Sequence, residues 1–138
     1  MPKTGYRKAS HCVFSIHLHV FFVPKYRKHV FNAAMVKRLE EIFTRVLETR
    51  KCTLKECGAE ANHIHLLIDL HPNNNISSLM GSLKSASSRI LRQEFVDELS
   101  KFYWKDVLWG DQYFVASTGG APIEVLKQYI QNQDSPAT

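Results

Sequence analysis

Two stretches of this chain alternate apolar and polar residues with a period of two, and that pattern restricts the fold more than any other feature. Between Asn62 and Leu70, the side chains of Ile64, Leu66, Ile68 and Leu70 fall on one side of an extended backbone, and His63 and His65 fall together on the other. From His11 to Val23, Phe14, Ile16, Leu18, Val20 and Phe22 share one side, while Ser15, His17 and His19 share the opposite one. Each stretch therefore reads as a strand with one face that must be covered and a second face that carries imidazoles. A sheet with helices laid on its apolar face satisfies both demands.

The covering helices are legible as a 3.6-residue period. Asn32 is a candidate N-cap for a helix running to about Arg50, with Val36, Leu39, Phe43, Val46 and Leu47 as its apolar stripe. After the turn-forming run His71-Pro72-Asn73-Asn74-Asn75, a second helix is expected from Ile76 to about Leu99, burying Ile76, Leu79, Met80, Leu83, Ala86, Ile90 and Leu91. Cys52 to Ala59 reads as a strand turning through Glu60-Ala61-Asn62 into the histidine strand, and Tyr113 to Ser117 as a further strand. Past the Gly119-Gly120 joint, Pro122 to Gln133 is expected to form a last helix, with Ile123, Leu126 and Ile130 as its docking stripe and Tyr129 and Gln133 one turn apart. The order of elements predicts an α+β fold with a ferredoxin-like or RRM-like antiparallel sheet, helices on one face, and a separate C-terminal helix. A single domain over residues 1–138 is expected, with 1–10 flexible and 120–134 forming the tyrosine-bearing helix.

A formal net charge of +5 and a pI near 9.2 suit a polyanionic partner. Lys25-Tyr26-Arg27-Lys28, following Pro24, is a basic turn that reads equally as a phosphate-contacting loop or a solvated one. Lys84, Ser85, Ser88, Arg89 and Arg92 make a polar helix face open to the same two readings. The aromatic region from Phe102 to Phe114 offers rings for base stacking, although packing is the commoner fate of Trp and Phe. Cys12, Cys52 and Cys57 have no zinc-ribbon spacing and read as free thiols of a reducing compartment. With no apolar leader and no window long enough to span a bilayer, a cytoplasmic protein with no membrane partner is expected.

An isolated His-x-His is more often a wet sheet face than a metal site, because two imidazoles need a third ligand from elsewhere. His17 and His19 are further candidates, better read as polar neighbours on the same face. Taken together, His63-Ile64-His65 ending a hairpin, the Lys25-Tyr26-Arg27 turn, Leu108-Trp109 with Tyr113-Phe114, and Tyr129-x-x-x-Gln133 near the C-terminus resemble the small HUH single-tyrosine transposases, of the TnpA type, of bacterial insertion sequences. The likeness runs over roughly residues 10 to 134, and Ile64 supplies the large hydrophobic residue between the two histidines. The Asn-rich loop after Leu70 and the short C-terminal tail have no counterpart in it.

The resemblance implies that Tyr129 is the nucleophile and that His63, His65 and Gln133 hold a divalent ion, Mg²⁺ or Mn²⁺. It implies single-stranded DNA with hairpin ends as substrate, a 5′-phosphotyrosyl intermediate with a free 3′-OH, and a homodimer sharing active sites between subunits, with cis or trans placement of the tyrosine helix left open. Lys25, Arg27, Lys28, Lys84, Arg89 and Arg92 are the corresponding candidate DNA contacts. A tyrosine is a weak nucleophile at its ordinary pKa near 10, so electrophilic help at the phosphate is needed. Two imidazoles and an amide oxygen make a neutral, open donor set better suited to Mg²⁺ or Mn²⁺ than to structural zinc. Two other readings remain. A non-catalytic nucleic-acid-binding module would use the basic surface but leave His63, His65, Tyr129 and Gln133 without a role, whereas a domesticated relative acting on chromosomal repeat hairpins would keep the same chemistry. A histidine-triad hydrolase would need a third histidine where this chain has Leu67.

Overall fold

In the computed structural model, which describes residues 6–60 and 62–117, asparagine caps set the two long helices, Asn32 as expected from the sequence and Asn75 without having been marked there. Asn32 is extended, and its Oδ1 accepts the Met35 N–H at 2.9 Å, starting α1 at Ala33–Thr49. Asn75 does the same for the Ser78 N–H at 2.9 Å, starting α2 at Ile76–Glu94. The Asn-rich loop thus has a structural use: Asn74 Nδ2 donates to the Arg50 and His71 carbonyls, fastening the loop to the end of α1 before Asn75 caps α2.

The main sheet contains β3 (His17–Pro24), β4 (Thr53–Glu60), β5 (His63–Asp69) and β6 (Trp109–Ser117). Its spatial order is β4-β5-β3-β6, with every neighbouring pair antiparallel. Together with α1 and α2 this is the βαββαβ ferredoxin-like arrangement. The apolar side of each strand forms one core with the helices: Leu18, Val20 and Phe22 from β3 and Ile64, Leu66 and Ile68 from β5 meet Leu39, Phe43 and Leu47 of α1 and Leu79, Met80 and Leu83 of α2. Full burial of each such side chain is worth about 1.5–3 kcal/mol before the entropy of ordering it.

Several boundaries differ from the periodicity, and β6, expected to start at Tyr113, starts at Trp109. The stretch from His11 to Val23 is not one strand. Cys12–Phe14 (β2) pairs with Arg7–Ala9 (β1) in a separate hairpin turning at His11, whose φ is 59°, and the sheet strand begins only at His17. Phe14 stays buried across the break, its ring edge-on to His71 at 5.0 Å, so alternation continued where the ladder did not. Residues 7–9, expected within a flexible leader, are therefore paired. The second helix stops at Glu94, because Phe95 takes a non-helical conformation, and a short α3 (Val96–Leu99) follows. On α2, Ile76 is 37% exposed and Ser87 takes a core position. Among the described residues no helix is long and apolar enough to cross a membrane.

Ser87 fits inside because both its hydrogen-bonding functions are used. Its hydroxyl donates to the Leu83 carbonyl at 2.6 Å and accepts from Trp109 Nε1 at 2.8 Å, tying α2 to the first residue of β6. Ser87→Ala leaves that indole N–H buried without an acceptor. The expected loss is about 1–3 kcal/mol, read as a lower urea midpoint at unchanged slope.

Candidate functional site

With its apolar side committed to the helices, the sheet presents its other side as a second surface, and the pairing register decides what meets there. On β5, His65 lies opposite Phe21 of β3 and Gly58 of β4, and His63 lies opposite Glu60. Phe21 in turn lies opposite Phe114 of β6. His19, two residues before Phe21, is flanked by Leu67 and Ala116, and His17 faces Asp69. The two histidines singled out in the sequence thus stand side by side, one strand period apart, next to an aromatic centre.

Phe21 is that centre. Although outside the main core, it is 1% exposed and packs with Phe114 and Ala116. Its ring centroid lies 6.1 Å from that of His63, 5.9 Å from that of His65 and 5.9 Å from that of Phe114, the last edge-on. One ring therefore walls both imidazoles. His63 is also oriented along its own strand: Nδ1 is 3.2 Å from Asn62 Oδ1. A neutral imidazole donating from Nδ1 to that amide oxygen would turn its Nε2 lone pair outward. This is how ligating histidines are usually held, with the outward nitrogen set by a hydrogen bond to the other. Glu60 Oε2 lies 3.9 Å from that Nε2.

Among the described residues no group of three His, Cys, Asp or Glu side chains converges as a metal set. His17 and His19 do not extend the pair. His17 Nε2 lies 3.9 Å from Asp69 Oδ2, toward the far end of β5, and His19 is held below its ordinary pKa by burial, with the Glu56 carboxylate opposing that shift. The cysteines are free thiols, and burial pushes Cys57 up to about 12, far from the thiolate a metal needs. Tyr129, Gln133, the Gly119-Gly120 joint and the helix expected over 120–134 all fall outside the described residues.

The basic candidates separate by what they already hold. Lys25 Nζ is 3.4 Å from Asp111 and Lys84 Nζ donates to the Gly110 carbonyl at 2.7 Å. Arg92 binds Ser88 Oγ at 3.1 Å and lies 3.6 Å from Asp106. Arg27, Lys28 and Arg89 are exposed and make no ion pair among the described residues. The backbone of the basic turn is left-handed at Tyr26 (φ 60°) and Arg27 (φ 52°), and Tyr103 holds it there by donating its hydroxyl to the Lys25 carbonyl at 2.6 Å.

Two residues of this surface were not marked by sequence. Phe21 reads as one more apolar residue in a strand, and only the odd position it shares with His17 and His19 hinted at its side. Gly58 carries no signal until β4 is laid beside β5. The His65 ring lies across it, so that a Cβ at position 58 would come 2.6 Å from His65 Nε2 and closer still to Cε1.

A family model described as Transposase IS200 like matches residues 12–133. The transposase for insertion sequence element IS200 of Salmonella typhimurium LT2 is 29% identical over 127 residues, covering 92% of this chain and 82% of the relative. Among solved structures, a candidate transposase of Deinococcus radiodurans R1 superposes with a TM-score of 0.81 at 25% identity, covering 92% and 97% of the two chains. A REP-associated tyrosine transposase bound to a REP hairpin superposes at 0.58 with 12% identity, over 92% of this chain and 66% of that one, a likeness of fold alone.

Two outcomes are expected of this surface. Gly58→Ala forces the His65 imidazole off β4, at a cost of about 1–3 kcal/mol as for other overpacked sites, and moves the His65 ring resonances while leaving those of His17 in place. His19, whose folded pKa is depressed, binds its proton more readily in the unfolded chain. Its contribution is complete above the unfolded value of about 6.5 and is lost as the pH falls below it. His19→Gln should flatten that acid limb in denaturation curves taken between about pH 7 and pH 5.

Proposed function

The chain belongs to the IS200-like transposase family, and from that premise we propose that it cuts and rejoins single-stranded DNA beside hairpins through a covalent bond to Tyr129. The observation that carries the proposal is the paired placement of His63 and His65 on the side of the sheet away from α1 and α2, walled by Phe21, in a chain whose family match extends through Tyr129 and Gln133.

In this reading the Tyr129 oxygen attacks the scissile phosphorus. A P–O bond to tyrosine forms, the P–O3′ bond breaks, and the DNA separates into a 5′-phosphotyrosyl end and a free 3′-OH. Because the ester linkage is conserved, attack by another 3′-OH restores a phosphodiester and releases the tyrosine without a nucleotide cofactor. His63 and His65 would serve as ligands to a divalent ion, the first set by its Nδ1 contact to Asn62, with Gln133 as the third. Mg²⁺ or Mn²⁺ held there would supply Lewis-acid stabilisation of charge on the phosphate oxygens, the help a phenol needs near neutral pH. Of the two ions Mn²⁺ tolerates nitrogen ligands more readily, and the protonated, buried thiol of Cys57 does not compete.

Hairpin DNA is the favoured substrate class, in keeping with the REP hairpin held by one structural neighbour. Arg27, Lys28 and Arg89 are the cations best placed to give phosphate contacts, because Lys25 and Lys84 already serve the protein's own loops, while Arg92 holds only an exposed partner that a phosphate can displace. One tyrosine makes one covalent link at a time, so processing both ends of an element calls for two sites, and a homodimer supplies them. A domesticated member acting on chromosomal repeat hairpins would use the same residues for the same steps.

The wild type, incubated with labelled single-stranded hairpin DNA and Mg²⁺ or Mn²⁺, should give a protein-DNA adduct on a denaturing gel, abolished by chelation and absent from Tyr129→Phe. An undiminished adduct in Tyr129→Phe removes the nucleophile assignment. Hairpin binding without any ion-dependent adduct would instead favour a non-catalytic binding module.

A further inference from the structure

The aromatic residues between Phe102 and Phe114 part company in the folded chain. Tyr103 and Trp109 turn inward, each with its polar atom satisfied, the first by the Lys25 carbonyl and the second by Ser87. Trp104, between them in sequence, is 88% exposed. An indole in water leaves its large apolar faces without the packing that normally accounts for a tryptophan. The Lys105 ammonium lies 4.9 Å from its ring centroid. Beside it opens a cleft of about 380 Å³ walled in part by Arg92, Ser100, Tyr103 and Lys105.

Position gives this exposure a direction. The loop bearing Trp104 runs into Trp109, which pairs with Pro24 at the end of β3. The register of β3 against β5 places Ile64 opposite Phe22, so His63 lies one residue further toward Pro24. The exposed indole therefore belongs to the loops at the end of the sheet where the histidine strand begins. The opposite end is closed by the β1-β2 hairpin, through Arg7 Nε 3.2 Å from Asp69 Oδ1.

We propose that Trp104 is a stacking platform for one unpaired base of the single strand flanking the DNA hairpin, with Lys105 and Arg92 taking the adjoining phosphates. The inference rests on the DNA-processing reading above and names a contact within it. An aromatic face accepts any base, and a flanking ammonium and guanidinium add charge attraction for the backbone, the combination by which single strands are held without sequence preference. The Arg92 partner, Asp106, is 96% exposed at 3.6 Å, a contact that an incoming phosphate can displace. The two cations at the rim favour a polyanion over an apolar protein segment.

The test compares wild type, Trp104→Ala and Trp104→Phe on a hairpin with a single-stranded flank, the same hairpin with no flank, and a flanked hairpin whose flank is abasic. Trp104→Ala should weaken binding of the flanked hairpin about tenfold, within the range seen for loss of one stacked base, and leave the unflanked and abasic hairpins unchanged. Trp104→Phe should recover most of the loss. Of the two tryptophans, only Trp104 faces solvent, so flanked DNA should quench wild-type fluorescence and not that of Trp104→Phe. Equal affinity of wild type and Trp104→Ala for the flanked hairpin overturns the inference while the transposase reading stands. An equal loss on flanked and unflanked DNA also overturns it, since the residue then acts on the hairpin or the fold. Wild type that binds neither DNA removes both readings.

Discussion

The register between β3 and β5 is the constraint on which the rest of the structure depends. These two strands are the middle of the sheet, and their apolar faces are sealed under α1 and α2. Sliding one past the other by a single residue would turn Ile64, Leu66 and Ile68 out and drive His63 and His65 among the leucines of the helices. Burying imidazoles there without partners costs several kcal/mol, on top of the apolar burial forfeited. The hydrophobic core thus holds the histidine pair in place from the opposite side of the sheet.

Once the register is fixed, the surroundings of the pair follow from cross-strand neighbours. Phe21 arrives beside both imidazoles because it is the β3 partner of His65, and Gly58 lies beneath the His65 ring because it is the β4 partner. Asn62, at the turn just before the strand, sets the His63 ring by the side-chain contact that a turn residue can make. Three separate elements therefore shape two adjacent side chains. This is how a rigid sheet gives precision to a site that loops alone would hold loosely.

The two ends of the sheet are built differently. At the Asp69 end, Arg7 of the N-terminal hairpin reaches Asp69 and the Lys51 carbonyl, and its guanidinium lies 4.8 Å from the centroid of the Phe14 ring. At the His63 end, the chain passes through a turn with two left-handed non-glycine residues, each costing of order 1–3 kcal/mol. Tyr103 and the Leu108 carbonyl hold that turn by its backbone, at Lys25, leaving the exposed Tyr26 ring and the Arg27 side chain outside. Left-handed residues occur at both ends, His11 and Lys51 with the N-terminal hairpin and the start of β4, Tyr26 and Arg27 at the other, where the exposed rings of Tyr26 and Trp104 also lie.

Sequence was enough for the two-faced strands, the two long helices with the Asn32 cap of the first, the hairpin into the histidine strand and the resemblance that pointed to the family, because period-two and period-3.6 burial and side-chain caps are local properties of the chain. It also placed His63 and His65 on one side of a strand, since that needs only the pleat. It missed the break between Phe14 and His17, because alternation of burial persists where the ladder changes partner, and it did not see that Ser87 would be buried, because only the arrival of Trp109 gives that hydroxyl a use. Tertiary structure alone decided that Phe21 walls the histidines, that Gly58 makes room for one of them, and that Trp104 stays in water while Tyr103 and Trp109 do not. The physical reason is the same in each case: these are relations between strands, or between a loop and a core, and their partners are far apart in the chain until the register brings them together.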